Sequence, residues 1–412
     1  MAKRIIVLTL IALLVAPSVL FMASCSEEAS SVTTLYVYNW GEYISDGSED
    51  TLDSNAAFEE WYFETFGERV EVNYSTFSSN EDMYAKLSSG AVTYDVIVPS
   101  DYMIERLIGE NMLRPLNKDN IPHAENLLPN FYGEDAEYDY YDKGNVYSIP
   151  YFYGMIGVIY NTTMVDENDP DIGSWSLLWD EDYAGNILQF NNSRDAFGTA
   201  QYYLGLDVNS DNEAEWRQAL AKLREQKQVV QGYVMDEIYN KMENGSAAIA
   251  AYYAGDYLTM YESNEDLEFY YPKEGTNLYV DAMCIPATSE HPEIAERYID
   301  FMLQEEAAVA NAEYTYYASP NRVVVESEDY RATMADIKDD AYEKMYATED
   351  VNATYYVNLT EGKLALINQL WEELKSDIEV SAAIYIICGV ILAVMVGMAT
   401  FFAIRRKKRA IY

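Results

Sequence analysis

Tyr94-Asp95-Val96-Ile97-Val98-Pro99-Ser100-Asp101-Tyr102 reads as a strand, a break and the start of a helix. Three consecutive β-branched residues without polar alternation suit a strand buried on both faces, as in a parallel sheet. Working outward, Val70 to Phe77 reads as a second strand and Leu35 to Tyr38 as a third, with a turn at Gly41. Ser54 to Phe66 has a helical pattern closed by Gly67, and Ser78 with Glu81 forms a capping box for a helix ending before Gly90. Strand–helix–strand–helix–strand order predicts a doubly wound lobe whose ligand lies beyond the carboxyl ends of its strands. Two groups fall at those ends: Asn39-Trp40-Gly41-Glu42-Tyr43 and Ser100-Asp101-Tyr102.

Downstream, Leu116 to Asn145 carries no clear period and reads as a Tyr- and Asp-rich connection. Strand-like Ile156 to Tyr160 and Ile187 to Phe190 follow, then a helix beginning near Asn192 to Asp195. Helices over Glu213–Gln228 and Asp236–Asn244 and a strand over Ala247–Tyr252 complete a second alternating unit. The expected class is α/β, two doubly wound lobes with a ligand cleft between them.

The 412 residues include 69 acids and 27 bases, a formal charge of −42. Phosphate binding needs a basic footprint, so nucleic acid is excluded as a natural partner. The negative field would speed a cationic ligand, although an acidic surface also serves solubility alone. Three cysteines make no disulfide framework, and Cys284 sits in an apolar strand-like run. His123 and His291 are the only histidines, with neither a metal-ligand spacing nor a catalytic pattern. An enzyme is not expected, nor any metal or cofactor.

Both ends read as membrane signals. Lys3 and Arg4 precede the apolar run Ile5 to Phe21, and Met22-Ala23-Ser24-Cys25 resembles a lipobox. That implies a signal peptide over 1–24 and a lipid on Cys25; ordinary cleavage nearby would also fit. Val380 to Ile404 is uncharged and long enough to be a transmembrane helix, and Arg405-Arg406-Lys407-Lys408-Arg409 opens a basic tail, 405–412, expected in the cytoplasm. The lobes would then lie outside.

Six blocks in order resemble the bacterial spermidine/putrescine-binding proteins. They are Leu35 to Tyr43, Tyr94 to Tyr102, Ser148-Ile149-Pro150-Tyr151, Tyr253-Ala254-Gly255-Asp256, Asp281 to Ala287, and Tyr317-Ala318-Ser319-Pro320-Asn321. The resemblance implies a type II periplasmic-binding fold, with lobe one over 33–149 and 282–320 and lobe two over 150–278 and 321–375. It implies a polyamine ligand, delivery to an ABC permease and its ATPase, and a monomer.

A polyamine needs carboxylates spaced along a groove and aromatic faces between them. Two charge-assisted ends and four covered methylenes give roughly 6–9 kcal/mol before ordering costs, so acids at both ends are required for useful affinity. The resemblance assigns Glu42, Asp195 and Asp281 as acids. It makes Trp40, Tyr43, Tyr102, Tyr253, Tyr279 and Tyr317 walls or hydroxyl donors, and Ser100 a polar contact. Asp256 resembles the putrescine-preferring branch, whereas Asn192 stands where the spermidine-preferring branch has an acid, and Gly41 where relatives usually have Ser or Thr. Two rivals remain at this level. One is a ferric-ion receptor of the same fold using Tyr252-Tyr253 and Tyr316-Tyr317; the other is a membrane-anchored polyamine sensor.

Overall fold

The computed structural model describes residues 32–48, 51–133, 136–347 and 350–376. Lobe one opens with β1 (Thr33–Trp40), α1 (Ser54–Phe66), β2 (Val70–Phe77), α2 (Asn80–Ser88), β3 (Val96–Ile97) and α3 (Asp101–Gly109). The α1 boundaries follow from its caps. The Asp53 carboxylate accepts from the Ala56 N–H at 2.9 Å, and Gly67 takes the left-handed conformation (φ 73°) that closes the helix. The α2 cap lies one residue later than the capping-box reading placed it. Ser79, not Ser78, is extended and accepts from the Asp82 N–H at 3.1 Å, while Ser78 donates to the Asp82 side chain.

The long strand β4 (Ser148–Asn161) leads into lobe two: β5 (Ile187–Phe190), α4 (Ser193–Leu204), α5 (Glu213–Gln226), β6 (Val230–Val234) and α6 (Glu237–Glu243). Then come β7 (Ile249–Tyr253), α7 (Ala254–Ser263), β8 (Leu267–Tyr270) and β9 (Thr276–Cys284). The chain continues through α8 (Pro292–Met302), α9 (Glu305–Thr315), α10 (Arg322–Val325), α11 (Glu328–Ile337), α12 (Ala341–Met345), β10 (Ala353–Thr354) and α13 (Glu361–Ser376).

Strand order β2-β1-β3-β9-β4-β7-β5-β6 joins both lobes through the antiparallel pair β4·β9. At one end Cys284 of β9 pairs with Ile97 of lobe one; at the other Ile156 of β4 pairs with Tyr253 of lobe two. The β4·β9 register slips between Pro150 and Phe152. Proline cannot donate to a ladder, so a bulge is where a central strand tolerates it. The side chain of Tyr151, the extra residue, donates to the Tyr43 carbonyl at 3.2 Å. A third connection passes Ala318, which bridges to Tyr153, and Asn321, which bridges to Leu127.

Val96, Ile97 and Leu35 are fully buried, as a parallel strand core requires. The last described helix, α13, buries Ile367, Leu370 and Leu374 against Phe197 and Trp216 of lobe two. Each such side chain is worth about 1.5–3 kcal/mol.

One expected element is corrected. Among the described residues no helix is long and apolar enough to cross a membrane, so what they form is the two-lobed α/β body alone, and the expected transmembrane helix is not part of it. Val380 to Ile404, the tail 405–412, the leader 1–24 and Cys25 lie outside the described residues. Cys284 is a buried free thiol whose pKa burial raises well above the usual value, so it packs rather than reacts. His123 is tied to Asp300, with Nδ1 3.0 Å from its carboxylate, and His291 stands at the start of α8 just before Pro292.

Candidate functional site

The carboxyl ends of β1 and β3 face the starts of α4 and α7 across β9, and between them lies a narrow cleft. Asp195 and Asp256 fall in the first turns of α4 and α7, where the exposed N–H groups of a helix favour negative charge. Asp281 comes from β9, close to where that strand passes from one lobe to the other. All three carboxylates are buried, between 4% and 7% exposed.

Their partners are hydroxyls and an amide, not cations. Asp195 Oδ2 accepts from Tyr253 at 2.8 Å and from Asn192 at 2.5 Å. Asp256 accepts from Tyr239 at 2.7 Å on one oxygen and from Tyr317 at 2.9 Å on the other. Asp281 Oδ2 accepts from Tyr43 at 2.7 Å, whereas its Oδ1 has no hydrogen-bond partner among the described residues. The Tyr279 hydroxyl and the Trp40 indole N–H, in the same wall, are also unpartnered.

Burial raises all three carboxyl groups, Asp195 and Asp281 to about 6 and Asp256 to about 7, and at Asp195 it outweighs the opposing charge of Arg194. Hydroxyls oppose the shift in each case: Tyr253 at Asp195, Tyr239 and Tyr317 at Asp256, and Ser100 ahead of Tyr43 at Asp281. Asp101, in the first turn of α3, is lifted by burial to about 7. It accepts from the Tyr102 N–H at 2.6 Å, from the Val280 N–H at 3.3 Å and from the Tyr140 hydroxyl. It braces the β9 crossing rather than lining the cleft.

Ten of the eleven expected site residues line this one cleft: Trp40, Tyr43, Ser100, Tyr102, Asp195, Tyr253, Asp256, Tyr279, Asp281 and Tyr317. Glu42 does not. It is exposed, with φ 48°, and accepts from Tyr314 at 3.3 Å. Its charge reaches the rim, where partial desolvation, Glu237 and Glu42 together raise the Asp236 carboxyl. Asn80, Tyr239, Asp236 and Tyr356 also line the cleft and were not among the expected residues. Asn80 begins α2 at the same sheet edge as Ser100, donating to the Ser100 Oγ at 3.0 Å and to the Tyr102 hydroxyl at 3.2 Å. The strand-end rule that marked Ser100 applies equally to it. Tyr239 and Tyr356 carried no such signal.

Residues 56–340 match the model for the bacterial extracellular solute-binding proteins. A spermidine/putrescine-binding periplasmic protein of Salmonella typhimurium is 30% identical over 311 residues, 75% of this chain and 83% of the relative. The chain belongs to this solute-binding family, among its spermidine/putrescine-binding members. A putrescine/cadaverine-binding protein of Pseudomonas aeruginosa is 28% identical, covering 84% of this chain and 95% of the relative. A solved structure described as a putative spermidine/putrescine ABC transporter from Listeria monocytogenes superposes with a TM-score of 0.72 at 34% identity. The match covers 84% of this chain and 99% of that one. Solute-binding proteins of ABC transporters bind and release, and are not enzymes.

The geometry accounts for two departures from the family pattern. A Cβ at Gly41 would stand 3.0 Å from Asp236 Oδ2, so glycine here leaves room for a carboxylate from the opposite lobe. Asn192 caps α4 through the Asp195 N–H at 3.1 Å and holds the Asp195 side chain. Gly255 has a related role, because a Cβ there would overlap the Tyr317 ring. Gly255→Ala is expected to push Tyr317 off Asp256 and weaken ligand binding by about tenfold, the worth of one hydrogen bond to a charged group. Unchanged calorimetric affinity in the folded variant would contradict this.

Proposed function

We propose that this protein captures a linear polyamine, putrescine or spermidine, outside the cytoplasm and delivers it to an ABC import permease with its ATPase. The observation that carries the reading is the cleft's chemistry. Buried carboxylates held by tyrosine hydroxyls stand in an aromatic wall, with Asp281 Oδ1 and the Tyr279 hydroxyl unpartnered. An ammonium donates to both of those atoms and supplies the missing positive charge. The rings of Tyr253, Tyr279 and Tyr317 would cover methylenes and attract the ammoniums. Membership of the family and the names of its relatives point the same way.

Within this reading, Trp40, Tyr43, Ser100, Tyr102, Asp195, Tyr253, Asp256, Tyr279, Asp281 and Tyr317 form the site, with Glu42 acting from the rim. Cleavage of the leader and lipid on Cys25 would tether the receptor beside its permease. Titration calorimetry with putrescine, spermidine, spermine and cadaverine tests the proposal. Single-site heat and a raised melting temperature are expected with at least one of the first two amines. No heat and no shift with either would refute it.

The ferric-ion reading loses its support in the same geometry. Tyr253 and Tyr317 donate their protons to Asp195 and Asp256, and Tyr316 donates to Glu262 at 2.8 Å. Burial raises Tyr252, Tyr253 and Tyr317 well above the usual phenol value, opposing the phenolate that iron requires.

A further inference from the structure

Arg194 follows the α4 cap and precedes Asp195, yet it is only 4% exposed. Its Nη2 donates to Asn209 Oδ1 at 2.8 Å and to the Val357 carbonyl at 3.4 Å. The Nε–H and Nη1–H groups have no acceptor among the described residues. The guanidinium lies 4.4 Å from the Tyr356 ring centroid and 6.0 Å from that of Tyr102. Both rings line the cleft, so a full positive charge stands directly behind one end of its wall. A Cβ at Gly198 would overlap the Tyr356 hydroxyl, and that hydroxyl donates to the Arg194 carbonyl at 3.4 Å. The ring and the cation are therefore locked together.

The two ends of the cleft differ in charge. At this end Asp195 and Glu81 both feel Arg194, and the Glu81 carboxylate accepts from Tyr102 at 3.1 Å. At the other end the charges acting on Asp256 are those of Asp236 and Glu42, both acids. Asn192, neutral, adds no charge beside Asp195.

We infer that Arg194 is a resident third cation of the cleft, which offsets Asp195 and Glu81 and so restricts the ligand to a diamine. The inference rests on the polyamine reading above. Two ammoniums then match Asp281 and Asp256, and a third, placed at the Asp195 end, would meet the guanidinium through the Tyr102 and Tyr356 wall. Arg194 touches no ligand; it acts as a positioning residue by charge.

Putrescine and spermidine affinities, measured by calorimetry on the wild type and on Arg194→Gln, Arg194→Lys and Glu81→Gln, test this. The wild type is expected to favour putrescine. Arg194→Gln is expected to move the putrescine/spermidine ratio toward spermidine by about tenfold, because like charges on the two faces of one aromatic wall, with little water between them, repel. Arg194→Lys should keep the wild-type ratio, and Glu81→Gln should move it further toward putrescine. A wild type that prefers spermidine, an Arg194→Gln ratio that does not move, or an Arg194→Lys ratio that moves as far as that of Arg194→Gln overturns the inference. If a melting curve shows Arg194→Gln unfolded, the Glu81→Gln ratio decides, and no movement toward putrescine overturns it. A wild type that binds neither amine instead removes the polyamine reading itself.

Discussion

Asp281→Asn is expected to weaken putrescine binding by between about tenfold and a hundredfold, matching the roughly 1.5–3 kcal/mol of a charge-assisted hydrogen bond. The substitution keeps the size of the side chain and an acceptor for Tyr43, so the fold should survive. What it removes is the charge at the unpartnered Oδ1, 4% exposed on a strand common to both lobes. The empty variant should melt at or above the wild-type temperature, since a buried carboxylate without a cation is unfavourable. Loss of affinity without loss of stability separates a ligand contact from a structural role. Equal affinity for wild type and variant would remove Asp281 from the site.

The second large effect is on pH dependence. Asp101, Asp195, Asp256 and Asp281 are lifted by burial to about 6–7 in the empty protein. An unfolded aspartate titrates near 3.9. Between those values the folded state holds protons that the unfolded state has lost, so stability falls as pH rises through about 6–7. The empty protein should therefore melt lower at pH 8 than at pH 5.5. An ammonium reverses the sign locally, because it favours the ionised carboxylates. Polyamine affinity should rise over the same interval, and binding should release protons near pH 6.5, read as a calorimetric heat that varies with buffer ionisation enthalpy. A buffer-independent heat with a flat affinity from pH 5.5 to 8 would show that these groups are already ionised before the ligand arrives.

Much of lobe one was legible because its signals are local. The limits of α1 agree with the Asp53 and Gly67 caps, and β2 spans the full Val70–Phe77 run. Long-range pairing was less legible. Only Ile156 to Tyr160 reads as a strand in the sequence, and Ser148 to Tyr151 is marked there only by the resemblance. Both belong to one strand, Ser148–Asn161, in which the bulge absorbs Pro150. The site followed the same divide. Asp195, Asp256 and Ser100 sit where a strand turns into a helix, a position that sequence marks. Tyr239 and Tyr356 reach the cleft from a rim helix and a late segment, and only tertiary packing brings them there. Glu42 shows the opposite case: its neighbours in sequence place it in the site, but its left-handed backbone sets it at the exposed rim.

The strand order has a consequence for how the chain is made. Lobe one cannot complete its sheet without β9, and α8 and α9, which pack on α1, come later still. Lobe two waits for β10 and α13, at residues 353–376. A ribosome delivers the N-terminus first, so lobe one cannot close before residue 315 has emerged, nor lobe two before residue 376, and such non-local pairing folds slowly. The nascent chain therefore stays open through most of its synthesis, the condition in which a polypeptide can be threaded across a membrane before it sets.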